Sequence, residues 1–485
     1  MTMLEKALSA ANGVALAHRI GGAVVDAPAA RALVDPGRAA AFAEAPDGAG
    51  GEVDAAVAAA RRALSASWGR MKPVERGRLL SAVARRLTDD QERFALVETL
   101  NMGKPLRQSR GDVATAARFF EYYAGVADKL EGETIPLGPG LMAWTEREPV
   151  GVVAQIVPWN APLAMLARGL APSLAAGCTA VIKPAETTPL TALMLADVLA
   201  EAGLPAGVVN VVLGPGSTGA ILAAHTGVAH ITFTGSVATG KAVMTAAATH
   251  LATVTLELGG KSPVVVLDDA DLDAAAEGVV RGIVTNAGQV CAAGSRVIAD
   301  RRIASALIER VSARLAKLSL GHGLDDPDVG PLASQTQHQR VAAAVERAVA
   351  GGDRILCGGA ASTGPGYFMR PVVLSTVPES PLAQDEVFGP VLAVLEVDDL
   401  AEAVRVANDS PYGLVAGIYS RDIDRALAFA RAAEVGQVFV NRYLAGGVET
   451  PVGGVKNSGF GREKGLRGLD AYLRTKCTTV SFHEA

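Results

Sequence analysis

From Pro149 onward, short β-branched apolar runs alternate with helical stretches, and this alternation restricts the chain to an α/β architecture. The runs lie at 150–157, 179–182, 208–213, 231–233, 254–258 and 263–267, with helices expected at 162–176, 189–202, 217–224 and 236–250. Strands that are apolar on both faces predict a parallel sheet covered on both sides. Such sheets bind ligands beyond the carboxyl ends of their strands. A second alternation predicts a second α/β domain, with helices at 272–286, 303–317, 335–350 and 399–408 and strands at 295–299, near 370–374 and 391–396. Upstream, 52–65 and 74–102 read as amphipathic helices. Residues 477–481 read as a final strand suited to pairing with another subunit's sheet edge.

Hydrophobic residues make up 49% of the 485, enough for a large core, but only 4% are aromatic, so small aliphatic side chains must fill it. A net charge of −5 without a basic block argues against an obligate nucleic-acid partner. No stretch reads as a membrane span, and residues 1–20 lack the pattern of a secretory or transit leader, so a cytoplasmic protein is expected. The four cysteines, Cys178, Cys291, Cys357 and Cys477, lie far apart, with neither metal-ligand nor CxxC spacing, and no metal is expected.

Several segments carry candidate chemistry. Cys291, in NAGQVCAAGS, follows a helix on a glycine-bearing loop; it is a candidate nucleophile, with a buried inert thiol as the competing reading. Glu257 lies in an apolar strand, where desolvation raises a carboxyl pKa and suits it to general-base work. Its competing reading is an ion pair with Lys261. Asn160 follows the first strand through Pro158 and Trp159, and its amide at a strand end suits an oxyanion, or simply a turn. Lys183 and Glu186, in KPAE, suit a ribose; the carboxylate disfavours a 2′-phosphate, so NAD is preferred to NADP. Gly235 and Ser236, with Gly240 four residues beyond Ser236, open a helix whose N-terminus suits a pyrophosphate; a plain serine cap is the alternative. The spacing is GSxxxG rather than the GxGxxG dinucleotide fingerprint.

In order and combination these segments resemble the aldehyde dehydrogenase superfamily, from about residue 20 to the C-terminus. The matches are PWN at 158–160, KPAE at 183–186, FTGS at 233–236, LELGGK at 256–261, GQVC at 288–291, EVFGP at 386–390 and PVGGVKNSGFGREKG at 451–465. The resemblance implies a Rossmann-like NAD-binding domain (1–124 and 148–258), a catalytic domain (259–470) and a β-arm (125–147 and 471–485) that joins subunits into a homodimer or homotetramer. It further implies Cys291 as nucleophile, Asn160 as oxyanion donor and Glu257 as the base that hydrolyses a thioester. Trp159, Lys183, Glu186, Gly235, Ser236, Gly240, Leu258, Gly259, Gln337, Glu386 and Phe388 would hold NAD, with Arg340 also near the nicotinamide ribose. Ala161, Met165, Arg168, Thr285, Val290, Gly446 and Val452 would line the substrate tunnel.

Two departures stand out. Where many relatives carry a Lys and a Glu that relay a proton for the base, this chain has Gly169 and Arg474. The expectation is that Arg474 fills the space left by Gly169, or that water serves. Small residues also replace tunnel aromatics, implying a wide channel and a bulky aryl, terpenoid or semialdehyde substrate. Arg168 and Arg442 are expected to be ordinary exposed arginines rather than carboxylate receptors. A CoA-acylating semialdehyde dehydrogenase and a non-catalytic protein on the same fold are the alternatives.

Overall fold

The computed structural model describes residues 1–359 and 364–482. Its first sheet has eight strands. From one edge they are Ala23–Val25, His18–Ile20, Val209–Val211, Thr179–Lys183, Val152–Ile156, His230–Thr234, Thr253–Glu257 and Gly459–Phe460. The five central strands are parallel, and every pairing outside them is antiparallel. Side-chain alternation explains why this sheet is covered on both faces. Val153, Ala180 and Ile182 join one apolar core, with Leu163, Leu166 and Leu170 of helix Pro162–Ala176. Their neighbours Val152, Ala154 and Val181 join another, with Val53, Val57 and Leu222. Chain order runs outward from Val152–Ile156 in one direction and from His230–Thr234 in the other. The crevice between these two strand ends is therefore the topological switch point.

The second sheet has seven strands, in the order Arg354–Gly358, Val372–Ser375, Val391–Val397, Arg296–Asp300, Pro263–Val266, Val415–Tyr419 and Gln437–Val440. Only Arg354–Gly358 runs antiparallel. Again Val264 and Val266 face one core while Val265 and Leu267 face the other. Residues 258–262 carry the chain from the first sheet to the second. Strand Gly459–Phe460, from the stretch expected to serve the second unit, pairs back onto the first sheet with Gly459 opposite Glu257.

The helix expected over 74–102 is two helices, Pro73–Asp89 and Gln91–Met102, which break at Asp90 (φ −100°, ψ 18°). Thr88, Asp89 and Asp90 are residues whose side chains compete for backbone hydrogen bonds and disfavour helix interiors. The C-terminal strand Leu473–Ser481 pairs along its full length with Leu141–Pro149 of the same chain, and Thr134–Ile135 adds a third strand. The expected arm extends to residue 485, and 483–485 lie outside the described residues. Among the described residues no helix is long and apolar enough to cross a membrane.

Ser458, fully buried, ties the inter-sheet connection in place. Its hydroxyl donates to the Gly259 carbonyl at 2.7 Å and accepts the Gly413 N–H at 3.0 Å, while its carbonyl accepts the Leu258 N–H at 3.0 Å. Ser458→Ala changes little volume but leaves one carbonyl and one N–H unpaired. It should lower stability by about 1–3 kcal/mol per orphaned group, read from the shift of the denaturant midpoint at constant m.

Candidate active site

The switch-point crevice opens into a cavity of about 1770 Å³ that reaches both sheets. Trp159 and Asn160 enter it from the end of strand Val152–Ile156, where the Val157 N–H donates to the Lys183 carbonyl. Cys291 enters from the opposite side on a loop with unusual backbone. Asn286 (φ 50°), Ala287 (φ 52°) and Gly288 (φ 73°) are successive left-handed residues that end the preceding helix at Val284. At Gly288 glycine is required by contact as well as conformation, since a Cβ would lie 2.2 Å from the Gly389 carbonyl oxygen. Amide side chains hold the strained loop. Asn160 Nδ2 donates to the Gln289 carbonyl at 2.8 Å, and Asn286 Nδ2 returns a bond to the Asn160 carbonyl at 2.8 Å. Gln289 Nε2 donates to the Asn286 carbonyl, its Oε1 accepts the Ala333 N–H, and Gln108 Oε1 accepts the Asn286 N–H. Gln108, Asn286 and Gln289 were not singled out from sequence. The only available signal was the polarity of Asn286 and Gln289 beside a candidate nucleophile.

Cys291 is half-buried, and its thiol is pushed up to about 11 by burial; the Arg168 charge opposes this, while Glu257 and Glu386 add to it. Glu257 also lines the cavity, and it is pushed up to about 8 by burial and by Glu463, against the pull of Arg168 and Arg462. Its Oε1 has no hydrogen-bond partner among the described residues. The competing ion pair with Lys261 is not formed. Lys261 instead feels Glu386 and Asp385, and burial brings it down to about 7. Glu386 accepts the Gly260 N–H at 3.1 Å, and burial lifts it to about 7. It sits so close to the backbone that a Cβ on Gly259 would lie 2.1 Å from its Oε2. Leu258, beside them on the cavity wall, packs over Gly240.

On the same wall, Phe388 packs edge-to-face on Trp159, with ring centroids 5.4 Å apart. Gln337 Nε2 donates to the Phe388 carbonyl at 2.7 Å, so its amide holds Phe388, which has a φ of 55°. Gly235, Ser236 and Arg340 complete this side. Ser236 faces the cavity and also caps helix Val237–Ala248 by accepting the Thr239 N–H. Lys183 and Glu186 pair at 3.2 Å but do not line the large cavity. Glu186 borders a small separate cleft with Arg31 and Asp47.

Of the expected tunnel residues, Ala161, Met165, Thr285 and Val290 line the cavity, joined by Gln108, Gly111 and Thr115 from helix Leu106–Ala124. Gly446 and Val452 do not; Val452 instead exchanges both backbone hydrogen bonds with Glu463. Two expectations are corrected. Arg168 is not an exposed arginine; it is buried, ion-paired to Glu463 and absent from the cavity wall. Arg474 does not fill the space beside Gly169; it is exposed and paired with Glu148. A Cβ on Gly169 would lie 3.3 Å from both the Tyr472 hydroxyl and Gln155 Oε1, so those two side chains occupy that space. Arg442, by contrast, is exposed as expected.

The chain matches the model of the Aldehyde dehydrogenase family over residues 25–478. It is 42% identical to a betaine aldehyde dehydrogenase of Cereibacter sphaeroides over 431 residues, covering 88% of this chain and 89% of the relative. A crystal structure of a putative aldehyde dehydrogenase from Burkholderia cenocepacia superposes with a TM-score of 0.94 at 45% identity, covering 96% of this chain and all of that one. Betaine aldehyde dehydrogenase from Staphylococcus aureus in complex with NAD+ superposes with a TM-score of 0.98 at 34% identity, covering 100% and 99%. With its two parallel sheets, its switch-point cavity and a family match spanning nearly its whole length, the chain belongs to the aldehyde dehydrogenase family.

Proposed function

We propose that this chain oxidises a bulky, uncharged aldehyde to its carboxylic acid with NAD, and that water rather than CoA resolves the covalent intermediate. The observation that carries this reading is the convergence of Cys291, Asn160 and Glu257 on one cavity that also holds Trp159, Phe388, Ser236 and Glu386. The residues fit NAD. A helix N-terminus bearing Ser236 faces the cavity, and Glu386 is kept close by a position where only a hydrogen fits. Ser236 and Gly235 would hold the pyrophosphate, Glu386 the nicotinamide ribose, and Lys183 with Glu186 the other ribose. Bound NAD supplies the hydride acceptor.

The Cys291 sulfur, once deprotonated, adds to the aldehyde carbon to give a thiohemiacetal. The second N–H of the Asn160 amide and the Cys291 backbone N–H stabilise its oxyanion. Loss of hydride from that carbon leaves a thioester on Cys291. Glu257 then takes a proton from water, the resulting hydroxide attacks the thioester carbon, and the acid and the thiol are released. Glu257 works only when ionised. Because its carboxyl is pushed up to about 8, thioester hydrolysis should rise with pH and level off above that value. Asn160→Ala should cut kcat by at least about 10²–10³-fold, since it removes an oxyanion donor together with the bond that holds the Gln289 carbonyl. Glu257→Gln should keep a first turnover of NADH and lose the steady state. A steady state restored only by added CoA would favour the acylating alternative.

The proposed substrate class is supported by the cavity wall at Ala161, Met165, Thr285 and Val290, whose side chains are small or flexible. Among the described residues, Trp159 and Phe388 are the aromatic side chains on the cavity wall, and they pack against each other. A quaternary ammonium is held best by aromatic faces, which disfavours betaine aldehyde. The relatives' names favour it as a second reading. NADH formation across acetaldehyde, betaine aldehyde and a bulky aryl aldehyde separates the two. The highest kcat/KM should fall to the aryl substrate, and preference for betaine aldehyde would replace this reading with the second. We further propose that the β-arm joins subunits into a homodimer or homotetramer.

A further inference from the structure

We propose that Arg168 and Glu463 are positioning residues for Glu257, a buried ion pair whose opposite charges set the pH at which that carboxyl becomes able to take a proton. The inference rests on the reading of Glu257 as the base.

Three elements bring the groups together. Arg168 lies on helix Pro162–Ala176, one turn beyond the cavity-lining Met165, with its guanidinium turned inward toward strand His230–Thr234, where Nη2 lies 3.4 Å from Thr234 Oγ1. Glu257 ends strand Thr253–Glu257. Directly opposite it, Gly459 begins the segment that leads to Glu463, and Glu463 is held by its two backbone bonds to Val452. Arg168, Glu257 and Glu463 are 6%, 2% and 4% exposed, so water screens their charges little.

The charge balance is uneven. Arginine is always cationic, and here one guanidinium serves two carboxyl groups. Glu463 has the direct contact, while Glu257 feels Arg168 without a hydrogen bond and keeps Oε1 unpartnered. Glu463 therefore opposes ionisation of Glu257 and Arg168 favours it. Arg462, the other cation facing Glu257, directs Nη1 to the carbonyls of Gly454 and Gly461. Cys291 also faces Glu257 and Arg168. Lys464, Tyr123 and Tyr472 surround the pair, and burial and Glu463 keep both tyrosines protonated. With Arg474 turned outward to Glu148, Arg168 is the buried cation left to act on the base.

The test is the pH dependence of acyl-enzyme hydrolysis in the full-length protein, read as acid release after a single turnover with an aryl aldehyde and NAD. Glu463→Gln should move the rising limb to lower pH by about 1–3 pH units, because Arg168 is freed to face Glu257 alone. Arg168→Gln, which retains a polar group beside Thr234, should move the limb to higher pH. Each variant makes its own signed prediction, so one that folds suffices. A pair that was merely structural would lower the rate at every pH and leave the limb in place. That result, or movement of both variants in the same direction, would overturn the proposal. Glu257→Gln separates the two levels of the argument. Loss of its limb while the pair variants leave theirs unmoved removes only the pair's role. A limb that survives Glu257→Gln removes the base reading and this inference with it.

Discussion

Residues 258–262 carry the chain from the first sheet to the second in one short crossing, and the site depends on how closely other backbone approaches it. Gly259 faces Glu386, Gly260 lies against the Cys291 carbonyl, and Ser458 bonds the crossing to two further segments. A side chain at Gly260 would place a Cβ 2.7 Å from the Cys291 carbonyl oxygen. The same few residues thus set the distance between the sheets and the depth at which the cysteine loop sits. Glu257 immediately precedes the crossing, so nucleophile and carboxyl are registered to each other through backbone rather than through mobile side chains.

Burial of charge is the second organising theme. Arg168, Lys104, Lys261 and Arg296 are all buried cations, at a cost that must be offset by partners or by function. Lys104 has Glu98 and Asp112, and Arg296 has the carbonyls of Val406 and Ala407 at the end of a helix. Lys261 has no hydrogen-bond partner among the described residues and feels the charge of Glu386. Its charge offsets part of the cost of keeping the Glu386 carboxyl beside the Gly260 amide.

Much of this was legible in the sequence, for identifiable reasons. Strands such as Thr179–Lys183, buried at every position, announce themselves by apolar runs such as Ala180–Ile182 without polar alternation, and Trp159, Asn160 and Cys291 follow ordered elements in the way ligand-facing residues of such sheets do. Arg168 was misread because its partner lies on a distant part of the chain that periodicity does not connect to it. Arg474 was misread because the chain changes from a helical turn to a strand between it and Tyr472. Tyr472 ends the short helical turn before the terminal strand and reaches Gly169 from there, while Arg474, inside the strand, is exposed and paired with Glu148. The cavity residues of helix Leu106–Ala124 were missed because an amphipathic helix does not reveal which neighbour its polar face meets.

The pairing of Gly459 with Glu257 has a consequence for how the molecule is made. The edge of the first sheet that carries Glu257 is closed by residues near the end of the chain. During synthesis the strands up to Glu257 emerge and pair long before their last neighbour exists. For that interval Thr253–Glu257 presents an open edge of the kind that invites pairing with other chains. Glu463 and Tyr472 arrive with the same late segment. Arg168 therefore waits, buried or exposed, without its carboxylate until Glu463 has been made, and a chain stopped before that point lacks both the sheet edge and the countercharge.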